Sequence, residues 1–148
     1  MAGYKGHIAG GIILMMIVLN LVFYAFTSPS WIEIILYMLL AIMFALWPDV
    51  DIKSKGQKLF YILFFITDLY LIIVQKFEAA AFLGLFIIIP ILSKHRGWTH
   101  SIPAMILIPS PILIYPMISG GTMEFFAGVP YYFAAITGYF SHILLDKK

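Results

Sequence analysis

Six runs of apolar residues, at about 8–26, 31–47, 57–75, 77–92, 101–119 and 125–145, alternate with short polar breaks along this chain. Each approaches the ~20 residues an α-helix needs to cross a bilayer. The run at 77–92 is short enough to require tilt or a re-entrant path. Thr27-Ser28-Pro29-Ser30 parts the first two runs and Ser119-Gly120-Gly121-Thr122 the last two, both with turn chemistry. Thr99 or Ser101 is placed to cap the fifth helix, and Pro103 suits its first turn. Pro109, Pro111 and Pro116 predict kinks along it. The pattern predicts an all-α integral membrane helical bundle of about six transmembrane segments, forming a single domain over residues 1–148.

Composition agrees, with 63% hydrophobic and 11% charged residues and a mean hydropathy of +1.01. The absence of cysteine excludes disulfides and thiolate metal sites. A net charge of +2 without a basic stripe gives no reason to expect a nucleic-acid partner. The first run follows Lys5, as a signal peptide would, but it continues into Phe26-Thr27-Ser28-Pro29 without a small-residue cleavage site. It is expected to be a retained anchor in a multi-pass protein of the cell membrane.

The cations set an orientation. Lys5, Lys53, Lys55, Lys58, Lys94, Arg96, Lys147 and Lys148 fall on one side of the six-span topology, and Lys76 alone on the other. The excess predicts cytoplasmic N- and C-termini, and a re-entrant hairpin over segments three and four would leave that result unchanged. The same side receives all four histidines (His7, His95, His100, His142) and three of the four aspartates (Asp49, Asp51, Asp146).

Four motifs hold these residues. Gly3-Tyr4-Lys5-Gly6-His7 leads into Gly10-Gly11, and Gly6 with Gly10 permits close helix approach beside His7. Trp47-Pro48-Asp49-Val50-Asp51 ends the second run with two carboxylates one residue apart, in extended or turn backbone, as in loops that bind hard cations. Lys94-His95-Arg96-Gly97-Trp98-Thr99-His100-Ser101 places two imidazoles around a glycine that lets the chain turn, with an arginine fork suited to phosphate. In Gly138-Tyr139-Phe140-Ser141-His142-Ile143-Leu144-Leu145-Asp146, His142 and Asp146 share a helix face with Gly138, either as two ligands or as a ligand and its orienting carboxylate. Alone, each also fits an ordinary role in packing, a solvated turn or an interfacial hydrogen bond. Their shared membrane face is what points to a metal site.

This set of motifs resembles the YdjM-type family of inner-membrane, metal-dependent hydrolases, described in bacteria as LexA-regulated. The likeness covers essentially the whole chain, and its most specific part is His95-Arg96-Gly97-Trp98-Thr99-His100-Ser101. It implies a distant similarity to zinc-dependent phospholipase C and P1-type nucleases. It also implies His7, Asp49, Asp51, His95, His100, His142 and Asp146 as metal ligands. Ile52 and Lys53 stand where family members often carry a further histidine, a departure that removes one ligand.

Seven such side chains exceed the three or four of one zinc site. They suit two or three divalent ions, zinc first and manganese or iron compatible, or one ion plus an acid–base group. The expected chemistry is metal-assisted phosphoester hydrolysis at the headgroup level, with a phospholipid as substrate. Arg96 would clamp a phosphoryl oxygen, and Asp49 or Asp51 would serve as ligand or base.

Two rivals are a divalent-metal or ion transporter and a non-catalytic scaffold with a structural metal. The transporter reading looks to Asp68 and Glu33, two acidic groups outside the cluster, for the path it would need through the bilayer. Asp68 is expected to face the bundle interior, hydrogen-bonded to Thr67, Tyr70 or a neighbouring helix, because an ionised carboxylate in lipid costs at least ~2.5 kcal/mol. Trp31, Trp47, Trp98, Tyr131 and Tyr132, near segment ends, read as an interfacial aromatic belt.

Overall fold

The structure, a computed structural model, describes residues 3–23, 28–50, 55–92, 98–120 and 122–146, which contain helices and turns but no strand. Helix α1 covers Tyr4–Val18 and widens into a π-helical turn at Leu19–Phe23. Within that turn Asn20, a polar residue in an apolar run, donates its side-chain amide to Met16 O at 2.8 Å. This meets the demand that polar groups in lipid find partners inside the helix. Helix α2, Trp31–Leu46, starts with a reciprocal cap: Glu33 N donates to Ser30 Oγ (3.3 Å) and Ser30 N to Glu33 Oε2 (2.8 Å). Glu33 is therefore a helix cap. The chain then tightens into a 3-10 turn at Trp47–Asp49 rather than an extended segment, with Pro48 supplying no amide that would need a partner.

Helices α3 (Lys55–Ile73) and α4 (Phe77–Leu92) form a hairpin. It is closed by Gln75 at φ 61° and by Lys76 N donating to Leu71 O (2.8 Å), a left-handed helix ending. The predicted fifth segment divides in two. Helix α5, Ile102–Leu107, is capped by Ser101, whose Oγ accepts from Ala104 N at 3.3 Å, and α6 restarts at Pro111 and runs to Gly120. Ser101, not Thr99, makes the cap, and Pro109 and Pro111 break the helix where a kink was expected. Helix α7, Thr122–Asp146, holds Pro130 in its interior. Of the predicted turns, Thr27 and Gly121 lie outside the described residues, as do Lys53, Lys94, Lys147 and Lys148.

Helices long and apolar enough to span a membrane cover Tyr4–Val22, Trp31–Asp49 and Lys55–Ile73, 19 residues each. At 1.5 Å per residue this is about 28 Å, close to the ~30 Å hydrocarbon core. Their outer faces carry large exposed apolar side chains such as Ile13, Leu21, Ile35, Phe65 and Ile66. In water that much apolar exposure would be costly, whereas lipid accepts it.

Helix α7 packs against α1, α2 and α6, and small residues set the spacing. Ala41, Ala45, Ala134 and Ala135 are fully buried. A Cβ at Gly138 would collide with the Ala41 backbone carbonyl, and one at Gly11 would lie 3.0 Å from Ala45 Cβ. The two glycines bring α1 and α7 against α2 within a turn or so of His7 and His142. Gly138→Ala is expected to destabilise the fold by at least the ~1–3 kcal/mol typical of overpacking, because the obstacle is backbone, and so to lower the midpoint of thermal unfolding in detergent. An unchanged midpoint would show that the helices separate freely.

One expectation is corrected here. Trp31 and Trp98 are exposed, as a belt requires, but Trp47 is 1% exposed and packs against Tyr139 with ring centroids 5.9 Å apart. The end of α2 is tucked into the bundle, which turns a segment-end aromatic into a core residue.

Candidate metal centre

Helix α7 sets His142 and Asp146 one turn apart on the face that Gly138 presses against α2. Because α2 ends at Leu46, its last carbonyls lack partners within the helix, and His142 Nδ1 lies 2.8 Å from one of them, Ala45 O. A carbonyl only accepts, so Nδ1 donates and the Nε2 lone pair is aimed away from α2. His7, from the first turns of α1, stacks on this ring with centroids 4.0 Å apart and planes at 18°.

The 3-10 turn after α2 then delivers Asp49. Its Oδ1 lies 3.3 Å from His100 Nε2 and 3.7 Å from His142 Nε2, and its Oδ2 lies 3.8 Å from His7 Nε2. Asp146 spans the same two rings from below, Oδ1 at 3.6 Å from His7 Nε2 and Oδ2 at 3.7 Å from His142 Nε2. Ligand atoms of His7, Asp49, His142 and Asp146 all lie within 4.8 Å of one another.

His100 closes the more open edge, where its side chain and that of Asp49 are each 22% exposed. Its position is set from α7. Tyr139 donates its hydroxyl to Thr99 O, and Thr99 Oγ1 lies 3.2 Å from His100 Nδ1. Ser101 Oγ donates to Trp98 O, which fixes the turn that carries the imidazole into α5. His100 Nε2 ends 3.4 Å from His142 Nε2.

The spacing suits a cation better than direct pairing. Most of these separations exceed the ~2.7–3.2 Å of a good hydrogen bond. They are close to the ~3.3 Å edge of a tetrahedron whose ligands stand ~2.0–2.1 Å from a central ion. His7 supplies an independent sign: it is fully buried, yet neither ring nitrogen has a hydrogen-bond partner among the described residues. Burying an imidazole without a hydrogen bond is costly, and a cation held between His7, Asp49, His142 and Asp146 removes that cost while balancing two carboxylates at the mouth of an apolar bundle. Nitrogen and oxygen donors without sulfur fit zinc, manganese or iron.

The structure thus brings together His7, Asp49, His100, His142 and Asp146. Asp51, His95 and Arg96 lie outside the described residues. Three contributors carried no assigned role at the site from sequence: Tyr139, Thr99 (considered there only as a helix cap) and the Ala45 carbonyl. Tyr139 had a readable signal, since it precedes His142 by three residues and shares its helix face, while Ala45 acts through its backbone oxygen and Thr99 through both its backbone oxygen and its hydroxyl. Outside the cluster, Asp68 Oδ1 has no hydrogen-bond partner among the described residues, and Thr67 donates instead to Leu63 O at 2.9 Å. Of the partners expected for Asp68 (Thr67, Tyr70 or a neighbouring helix), Thr67 commits its hydroxyl to its own helix.

Comparison with protein families finds that the profile of the YdjM inner membrane protein family matches residues 1–147. Comparisons with curated proteins and with solved structures return no match.

Proposed function

The chain belongs to the YdjM inner membrane protein family, and from that premise and the geometry of the cluster we propose that it is a metal-dependent hydrolase of phosphoesters working at the cytoplasmic headgroup level. The observation that carries this reading is the His/Asp constellation at one end of the bundle, with His7 fully enclosed and neither of its ring nitrogens hydrogen-bonded among the described residues. A structural cation in a membrane bundle has no need of an open edge. Here Asp49 and His100 stand at such an edge.

His7, His142 and Asp146 would hold the innermost ion, with Asp49 shared between it and the open side. A second ion would draw on His100, His95 and Asp51, and zinc is the first candidate for both. When bound, a divalent ion supplies Lewis acidity that lowers the pKa of water and neutralises charge on a phosphoryl oxygen. The protein's own part is positional. Ala45 O keeps the His142 tautomer, Tyr139 holds the turn bearing His100, and Asp49 or Asp51 accepts a proton from the attacking water. Arg96 receives a non-bridging oxygen in its planar fork.

The direct test is turnover. Zinc- or manganese-loaded protein in vesicles is expected to release product from a phospholipid or a water-soluble phosphodiester, to stop in EDTA, and to recover when metal is restored. Metal-loaded protein that cleaves neither substrate would end the hydrolase reading. Orientation is tested separately, because the proposal takes the cluster to be cytoplasmic, as the lysine bias predicts: reporters fused to both termini should read cytoplasmic. A periplasmic signal from either end would place the cluster on the wrong side for this proposal.

A further inference from the structure

A cavity of about 400 Å³ lies between α2, α3, α4, α6 and α7. Its volume falls in the ~300–1,000 Å³ range of small-molecule sites. Along α2 it is bordered by Leu36, Leu39, Leu40, Met43, Phe44 and Trp47, a continuous helical stripe. From the first to the last of these is 11 residues, or about 16 Å at 1.5 Å per residue. That is close to half of the ~30 Å hydrocarbon core, the depth of one leaflet.

Two features relate the cavity to the cluster. Its inner end is walled by Trp47 and Phe60, each 1% exposed, and Trp47 begins the turn that carries Asp49. Its walls are nearly all apolar, Thr67, Tyr115 and Tyr131 being the hydroxyl-bearing exceptions, and Thr67 spends its hydroxyl on Leu63 O. Water in such a space would find few partners. In a bundle surrounded by lipid, the medium that fills an apolar recess at hydrocarbon depth is hydrocarbon.

We propose that this cavity holds one acyl chain of a phospholipid whose phosphate lies at the His/Asp cluster. The headgroup half of this statement rests on the hydrolase reading, and the chain half rests on the cavity alone. A chain running beside α2 from Trp47 toward Leu36 would set its ester end at the level of Asp49 and its tail toward the bilayer midplane. The substrate class is then an amphiphile with a straight hydrocarbon chain. Recognition of the chain in the cavity supplies binding energy remote from the reacting bond.

Trp47 allows a test that needs no turnover. In Trp31→Phe/Trp98→Phe protein, Trp47 is the remaining tryptophan, and as a buried residue it is shielded from lipid that merely surrounds the bundle. Reconstituted into phosphatidylcholine brominated along its acyl chains, this protein is expected to show strong quenching relative to unbrominated lipid. Filling the cavity with Ala79→Phe, or independently with Thr67→Leu, should remove most of that quenching while bound metal stays at the parent level. Unquenched Trp47, or quenching that persists in both filled variants, overturns the proposal. Unquenched Trp47 together with a crosslinked dimer would assign the cavity to a second copy. The hydrolase reading fails in a different way, through absence of phosphoester cleavage while the quenching remains.

Discussion

Replacing Asp49 or His142 by alanine is expected to strip bound metal from the purified protein while its helical content stays near that of the parent. Asp49 is the carboxylate that faces three imidazoles at once, at 3.3 Å from His100, 3.7 Å from His142 and 3.8 Å from His7. His142 is the ring whose donor is already committed to Ala45 O, so its other nitrogen is free to bind. The loss should exceed the ~10–100-fold weakening typical when an outer partner of a ligand is removed. Tyr139→Phe provides that smaller effect for comparison, because it deletes only the hydroxyl that anchors Thr99 and the His100 turn. Elemental analysis of the variants gives the ranking. A second readout is thermal: chelation should lower the stability of the parent, by about 2.7 kcal/mol relative to metal held at 100 times its dissociation constant. The same chelation should leave Asp49→Ala unmoved. Full metal stoichiometry in both alanine variants would show that the metal is bound elsewhere and that the cluster is not a metal site.

Much of this arrangement was readable before any coordinates. The spans follow from the physics of lipid, which requires ~20 apolar residues and satisfied backbone, so runs bounded by Ser-Pro or Gly-Gly breaks announce themselves. The pairing of His142 with Asp146 follows from helical spacing, and the lysine bias brought His7, Asp49 and His100 to the same end of the bundle. Other features depend on contacts that one chain's pattern does not encode. Ala45 acts through its carbonyl oxygen, as Thr99 does toward Tyr139, and a carbonyl has no residue signature. Trp47 looks like an interfacial anchor in sequence, and only the packing of α2 against Tyr139 and Phe60 makes it both core and cavity wall. Glu33 looked like a charge near a transport path and proved to be half of a capping box, a pattern that Ser30-x-x-Glu33 spelled out and the polarity argument overlooked. Prolines 111 and 116 do more than bend a helix, since both line the cavity.

Arg96 and Asp68 separate an enzyme from a transporter. If the cluster performs chemistry on a phosphoester, Arg96→Lys should lower turnover by about 10²-fold, the effect of removing one preorganised donor to developing charge. The substitution keeps the positive charge and removes the planar fork, so bound metal should be unchanged. Asp68 stands in α3, well along the helix from the Asp49 turn and with an oxygen that meets no partner among the described residues. A carboxyl at that depth is costly to keep ionised. Asp68→Asn preserves its shape without the charge and should leave turnover within a few-fold of the parent. A transporter reverses both results: ion flux into proteoliposomes would collapse in Asp68→Asn and tolerate Arg96→Lys. Flux that depends on Asp68, in protein that hydrolyses no phosphoester, would convert the His/Asp cluster from a catalytic centre into the loading site of a pathway through the bundle.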